Sequence, residues 1–245
     1  MKHNKYLIEI ATSDFCTTKS AVEGGADRIE LCANLAEGGT TPSYGTIRQC
    51  RDAFSVSLYP IIRPRGGDFL YTKSEYEIML QEVMLCKQLG CDGIVVGLLN
   101  RDGTIDRERT ASIIDVAYPL GVTFHRAFDR CADPFSAMEQ LIEIGCERIL
   151  TSGQYPSVVD GVGMVAELNE KAANRIIIMP GSGVRKENIK MLAEKTGCVE
   201  FHSSLRGKKN SDMNFIHPAF KDSPESYANN AIDVEEVKAL RNALG

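Results

Sequence analysis

The stretch GVTFHRAFD, Gly121–Asp129, decides how the fold of this sequence is interpreted. Period-2 alternation gives a short strand in which Phe124 and His125 lie on opposite faces. The strand then runs into Arg126 and Asp129, and a new helix is predicted directly after them. An α/β protein usually builds its ligand site where strands end in ionisable side chains. We therefore expect a strand of a parallel sheet here, with a binding site at its carboxyl end.

Outward from this stretch, strand and helix patterns alternate along all 245 residues. No linker or composition shift divides the chain. Eight strand–helix units in this length predict a single α/β domain over residues 1–245, a (β/α)8 TIM-type barrel. The strands are predicted at Tyr6–Ala11, Asp27–Cys32, Ser57–Arg63, Gly93–Leu98, Val122–Phe128, Arg148–Ser152, Ile176–Pro180 and Val199–Ser203, and the helices at Phe15–Glu23, Tyr44–Ala53, Ser74–Leu89, Arg107–Tyr118, Pro134–Ile144, Val158–Ala173, Lys186–Lys195 and Val234–Leu244.

One long irregular loop is predicted after strand eight, at Leu205–Ile232. Loops of this length are usually functional or disordered. Its place at the top face of the barrel favours a lid or a contact surface.

Composition excludes several classes of protein. The net charge of −5 argues against a nucleic-acid surface, and we interpret Arg206, Lys208 and Lys209 as a solvated loop. No apolar run approaches the roughly 20 residues that span a bilayer. The N-terminal sequence lacks the apolar core of a signal peptide, which predicts a cytoplasmic protein whose eight cysteines are reduced thiols. None of these cysteines are spaced C-x-x-C, so zinc-ribbon and thioredoxin-type motifs are absent.

Alternation within the strands predicts a polar interior. Glu9, Glu30 and Glu200 each stand between two apolar residues, so they point into the barrel if their neighbours face the helices. The same alternation sends Cys32, Arg63, His125 and His202 inward. One interpretation is a buried ion network that only sets strand register. A polar binding cavity is favoured for the whole set, because histidine beside carboxylates can do acid–base work or bind a cation.

Two loops of the predicted top face suit an anion. Arginines beside a Gly-Gly pair in Arg63–Phe69 offer forked donors to a phosphate or carboxylate, although a solvent-exposed turn would also explain this loop. Pro180–Val184 follows strand seven, and barrels often bind phosphate between loops seven and eight. The predicted anion-binding residues are Arg63, Arg65, Asp68, Arg126, Asp129, Ser152, Gly181, Gly183, His202 and Ser203.

Six motifs in order over nearly the whole chain resemble the CutC family. They are GADRIELC (Gly25–Cys32), EGGTTPS (Glu37–Ser43), IRPRGGDF (Ile62–Phe69), VTFHRAFD (Val122–Asp129), LTSG (Leu150–Gly153) and EFHSS (Glu200–Ser204). The resemblance implies a cytosolic, often oligomeric TIM-type barrel linked by name to copper homeostasis and proposed to bind Cu(I). It brings no settled enzymatic activity.

The resemblance also implies a metal ligand at Cys32, where many members end strand two with a cysteine. Those members carry a second cysteine at the end of strand one, and this chain has Ala11 there. Because Cu(I) prefers soft thiolate ligands, this departure weakens a two-cysteine site.

Two functional hypotheses follow. In the first, the chain is a CutC-like cytoplasmic protein of copper homeostasis that binds Cu(I) through Cys32. In the second, it is a barrel enzyme for a small anionic substrate, with Glu9, Glu30 and His125 as acid–base candidates. The resemblance implies a homo-oligomer, and the expected ligand is a copper ion under the first hypothesis or a small anion under the second. No nucleic-acid or membrane partner is expected.

Overall fold

Eight parallel strands and the helices that follow them build the fold, which the computed structural model describes over residues 5–220 and 227–245. The barrel strands are β1 (Leu7–Thr12), β2 (Arg28–Leu31), β3 (Ser57–Pro60), β4 (Gly93–Val96), β5 (Gly121–Phe124), β6 (Arg148–Thr151), β7 (Ile177–Pro180) and β8 (Glu200–Ser203). The helices are α1 (Phe15–Glu23), α2 (Tyr44–Ala53), α3 (Lys73–Gln88), α4 (Arg107–Ala117), α5 (Pro134–Glu143), α6 (Val162–Ala172), α7 (Ile189–Thr196) and α8 (Val234–Asn242).

The strands close into the predicted TIM-type barrel. Parallel ladders join them in the orders β3-β2-β1-β8 and β4-β5-β6-β7. A parallel bridge between Ile61 and Val95 connects the two ladders on one side, and β7 lies against β8 on the other. The fold class is therefore confirmed. Strand three is shorter than predicted and ends at Pro60, beyond which Ile61 still forms the bridge to Val95.

Local signals in the sequence set the helix ends. Ser43, Asp106 and Asp133 accept hydrogen bonds from backbone N–H groups in the first turns of α2, α4 and α5. Helix α6 begins later than predicted, at Val162, where Gly161 stands at the N-cap. These caps fix where each helix of the outer layer starts, and so where the loop that precedes it ends.

The predicted irregular loop at Leu205–Ile232 contains regular structure. It includes the antiparallel hairpin β9 (Gly207–Asn210) with β10 (Ala228–Ala231); residues 221–226 lie outside the described residues. The two strands are polar, and β9 is exposed along its whole length, so neither strand shows the alternation that reveals a half-buried strand.

Apolar side chains fill the layer between strands and helices. Ile10, Ile29, Phe124 and Phe201 are fully buried there, on the strand faces opposite the predicted polar interior. In the part of the chain that the structure describes, no helix has both the length and the apolar character needed to cross a membrane.

Candidate functional site

A cavity of about 860 Å³ opens at the carboxyl ends of the barrel strands. This volume lies within the range of small-molecule sites. Strand ends supply its deeper wall, including Glu30 in β2 and His202 in β8, and the loops supply its rim. The cavity is therefore where the sequence placed the site, at the end of the barrel where TIM-type barrels hold their ligands.

The cavity wall carries more positive than negative side chains. Six arginines face three acidic residues: Arg63, Arg101, Arg126, Arg130, Arg185 and Arg206 against Glu30, Glu37 and Asp68. Arginine donors in a partly enclosed wall suit carboxylate and phosphate groups. The electrostatics of the wall favour an anionic ligand.

Arg63 is buried, and its side-chain hydrogen bonds all go to backbone oxygens. Its Nη1 donates to the carbonyl oxygens of Glu37 at 2.9 Å and Gly39 at 2.7 Å, and its Nη2 donates to Gly67 O at 2.8 Å. Only 3% of Arg63 is exposed, and no carboxylate of the described residues pairs with it. A buried cation without a counter-charge is costly, so a negative ligand would stabilise this arrangement.

Glu30, His202 and Glu9 lie next to one another, with Glu30 and His202 in the cavity wall and Glu9 outside it. His202 Nδ1 donates to Glu9 Oε1 at 2.7 Å, and its Nε2 lies 3.8 Å from Glu30 Oε2. Burial raises the pKa of the Glu30 carboxyl. Burial works against a charged imidazole at His202, but the carboxylates of Glu30 and Glu9 outweigh it and raise the pKa of His202. Two groups with raised pKa values at the cavity can exchange a proton with a ligand.

An ion network forms the floor of the barrel beneath these groups. Arg28 contacts Glu9 and donates to Glu200 Oε2 at 2.7 Å, while Arg148 Nε donates to the same oxygen at 2.6 Å. The Tyr59 ring packs against both guanidinium groups. Glu9 and Glu200 therefore belong to the buried network that the sequence offered as an alternative, and Glu9 does not line the cavity.

His125 lies in the cavity wall with one nitrogen satisfied. Its Nδ1 accepts a hydrogen bond from the Ala127 backbone N–H at 3.1 Å, and its buried Nε2 has no partner in the structure. Burial, with the charge of Arg63, lowers the pKa of His125 to about 3. The imidazole is therefore neutral near pH 7. The predicted acid–base role is less well supported for His125 than for Glu30.

The surroundings of Cys32 suit a protonated thiol better than a thiolate ligand for Cu(I). Its Sγ donates to Glu30 Oε2 at 3.5 Å, and burial followed by the Glu30 charge raises the pKa of this thiol well above its usual value. Cu(I) favours two soft, deprotonated sulfur ligands, and Ala11, which pairs with Glu30 in the sheet, stands where the second cysteine would be.

Among residues 5–220 and 227–245, the group with metal-ligand spacing is Glu9, Glu30 and His202, whose potential ligand atoms lie within 4.8 Å of one another. Oxygen and nitrogen ligands of this kind do not fit Cu(I).

The structure brings together eight of the predicted site residues. The cavity wall includes Glu30, Arg63, Asp68, His125, Arg126, Gly183, His202 and Ser203. Those that it leaves out are Glu9, Cys32, Arg65, Asp129, Ser152 and Gly181.

Several of the residues outside the wall contact only the protein. Arg65 pairs with Glu75 and Asp68 and so stabilises its own loop. Asp129 accepts hydrogen bonds from Ser152 N and Oγ at 3.0 and 2.9 Å and pairs with Arg126. In this structure Asp129 and Ser152 therefore hold the loop after β6, and Arg65 holds the loop after β3.

Sequence reasoning missed four cavity arginines. Arg101 and Arg130 follow β4 and β5 on short loops, and Arg185 stands two residues after Gly183 in a loop already selected. Arg206 was interpreted as part of a solvated loop, but it lines the cavity and donates to Leu35 O at 2.9 Å. A search for arginines just beyond each strand end would have found all four.

Comparisons with known proteins agree with the motifs. The model of the CutC family matches residues 6–207. A Chromobacterium violaceum protein named family protein CutC is 45% identical over 241 residues, covering 97% of this chain and 98% of that protein. The human copper homeostasis protein cutC homolog is 41% identical over 245 residues, covering 98% of this chain and 89% of the human protein.

Solved structures give the same answer. A Streptococcus agalactiae crystal structure named for the copper homeostasis protein CutC matches with a TM-score of 0.77 and 33% identity, covering 80% of this chain and 97% of that chain. Phosphoribosylanthranilate isomerase from Pyrococcus furiosus matches with a TM-score of 0.58 at 11% identity over 98% of both chains, which shows the barrel fold alone. The chain belongs to the CutC family.

Proposed function

We propose that this protein is a barrel enzyme that binds a small phosphate-bearing anion in the arginine-lined cavity and acts on it by proton transfer. Through this activity it would take part in the copper homeostasis for which its relatives are named. The observation that carries the proposal is Arg63, a buried cation in the cavity wall whose side-chain hydrogen bonds all go to backbone oxygens and with which no carboxylate of the described residues pairs. A ligand's negative charge would supply the counter-charge that the described residues lack.

A second group of donors suits the phosphate itself. Arg185 Nη1 donates to Ser203 Oγ at 3.2 Å, and both residues line the cavity together with Gly183. Gly183 and Arg185 stand on the loop after β7 and Ser203 ends β8, the region where barrel enzymes commonly bind phosphate. We assign the phosphate to this side of the cavity.

Glu30 and His202 would move the proton. Burial raises the pKa of Glu30, so this carboxyl keeps a proton to higher pH than an exposed glutamate. His202 connects it to Glu9, whose pKa is lowered by Arg28 and His202 in spite of burial. Glu9 therefore stays ionised and orients the imidazole, while Glu30 faces the ligand as acid or base.

Isothermal titration calorimetry with inorganic phosphate tests the site. Arg185→Gln removes one charged donor at the assigned phosphate position, and we expect about a 10- to 100-fold loss of affinity. The matched control is Arg175→Gln, because Arg175 is half-exposed on the outer surface and pairs with Glu139 at 2.6 Å. Phosphate binding that is absent at millimolar concentration, or equal in all three proteins, would contradict the proposal.

Direct Cu(I) binding is the second candidate, favoured by the names of the relatives. In that case Cys32 would be the ligand, with copper as substrate or cargo. An anaerobic Cu(I) competition titration of the wild type beside Cys32→Ser distinguishes the candidates, because only tight stoichiometric binding that the variant loses supports copper. The cytoplasmic location and the homo-oligomer stay predictions of the sequence.

A further inference from the structure

The starting point is the side chain of His125, which holds an unused hydrogen-bond donor in the cavity wall. The Ala127 backbone N–H can only donate, so the Nδ1 atom that accepts it at 3.1 Å must carry a lone pair. In a neutral imidazole the proton is then on Nε2. This Nε2–H is buried and has no partner among the described residues.

The surroundings hold the ring in this orientation. A Cβ atom on Gly97 would lie 2.2 Å from His125 Cε1, so the absence of a side chain there gives the imidazole its space. The Phe69 ring packs against the imidazole of His125, with the two ring centroids 5.0 Å apart. A buried donor that is held but unpaired costs free energy unless something binds it.

Charge beside the ring indicates what would bind. The Arg63 guanidinium carbon lies 5.1 Å from the centre of the same Phe69 ring, so Arg63 and His125 flank one aromatic side chain. An acceptor atom that reaches Nε2–H would lie in the field of this cation. Oxygen atoms that carry full or partial negative charge, as in a carboxylate or a polarised carbonyl, fit both groups.

We propose that His125 donates its Nε2–H to a carbonyl or carboxylate oxygen of the ligand, whose phosphate is held near Arg185 and Ser203. The inference rests on the proposed function and defines its substrate class as a small phosphorylated carbonyl or carboxylate compound. The two ends of such a ligand would be bound by opposite sides of the barrel, because His125 follows β5 and Ser203 ends β8. Nε2 is closed to water in this structure, so neighbouring side chains must shift for the ligand oxygen to reach it.

A neutral donor has a defined chemical consequence. His125 would polarise a carbonyl without protonating it, and its hydrogen bond would strengthen as negative charge grows on the oxygen. Glu30, in the same wall, would then add or remove the proton on the neighbouring carbon. No electron acceptor or further reactant is needed for this proton exchange.

The first experiment reads the tautomer directly. The chain has four histidines, so the long-range proton–nitrogen spectrum of the ¹⁵N-labelled protein is simple, and His125→Gln assigns the signal of His125. We expect a neutral Nε2–H imidazole that does not titrate between about pH 7 and about pH 5. A protonated ring or an Nδ1–H tautomer in this range overturns the inference, whether or not any ligand binds.

The second experiment compares phosphoglycolate, which carries a phosphate and a carboxylate, with inorganic phosphate. Wild type is expected to prefer phosphoglycolate by about 10-fold or more, the value of one charge-assisted hydrogen bond. His125→Leu should reduce this preference to about 1, and His125→Gln should keep part of it because its amide can still donate.

The outcomes separate the inference from the function on which it rests. An unchanged preference in His125→Leu, with phosphate still bound, overturns the role of His125 alone. Failure of both probes to bind wild type overturns the proposed function, and the substrate class falls with it. The glutamine variant preserves the test if the leucine variant does not fold.

Discussion

Removing the charge of Arg28 should destabilise the barrel strongly. Arg28 is 3% exposed and is the cation that Glu9 and Glu200 share. In Arg28→Met, Glu200 keeps Arg148, but among the described residues fully buried Glu9 keeps only His202 as an ion-pair partner. Breaking a buried ion pair on one side costs about 3–5 kcal/mol in the free energy of unfolding, which is a large share of the stability of a domain.

The loss should depend on pH in a direction that the structure fixes. In wild type, Arg28 and His202 outweigh burial and lower the pKa of Glu9, so its contribution to stability is present above about pH 4.5 and is lost as pH falls. In the variant, burial prevails and the pKa of Glu9 rises. Its contribution is then present at low pH and is lost as pH rises through the raised pKa. The gap between the two proteins should therefore be smaller at about pH 5 than at about pH 7.

Urea unfolding followed by circular dichroism measures both effects. The double variant Arg28→Met/Glu9→Gln should recover part of the loss, since it no longer buries an unpaired carboxylate. Arg175→Met is the control, because its exposed ion pair with Glu139 should contribute about 1 kcal/mol or less. A loss below about 1 kcal/mol in Arg28→Met, or a gap that widens toward low pH, would refute the reasoning.

Three further predictions concern the cavity. The pKa of His125 is lowered to about 3, so between this value and about pH 6.5 only the unfolded chain takes up a proton at this position. Between about pH 7 and about pH 5, the free energy of unfolding measured in urea should therefore fall by about 2 kcal/mol more for wild type than for His125→Leu. An equal fall in the two proteins would contradict this prediction. Gly97→Ala should lower the free energy of unfolding by about 1–3 kcal/mol and shift the nitrogen signals of His125, because the new Cβ would overlap the imidazole. An unshifted spectrum would count against the contact. In the Cu(I) titration, Cys32→Ser should bind as weakly as wild type, because the thiol of Cys32 is buried, protonated and without a second sulfur; a large difference would restore the copper site.

The sequence predicted the barrel because its signals are local. Period-2 alternation turned Glu9, Glu30 and Glu200 inward, and each of them is buried inside the barrel. Cap residues such as Asp133 stand directly before their helices. Each of these inferences needs only residues a few positions apart.

The candidate site was predicted less completely because its contacts join distant positions. Arg28 stands two residues before Glu30 on the same strand face, but its partner Glu200 lies 172 positions away, and alternation does not identify such a pair. Loop arginines present a related difficulty. Arg65 and Arg185 both follow strands, and only the structure shows that the first pairs within its loop while the second reaches the cavity.

The ion network on the barrel floor also has a kinetic consequence. Arg28, Arg148 and Glu200 are buried and, with the Tyr59 ring, fill the lumen below the cavity. Among the described residues, the opening of the cavity is therefore formed by the rim loops, and a ligand would enter and leave through it. If the proposed enzymatic activity holds, product release through this opening would limit turnover, so substitutions at exposed rim residues such as Arg206 should change ligand residence time more than the chemical step.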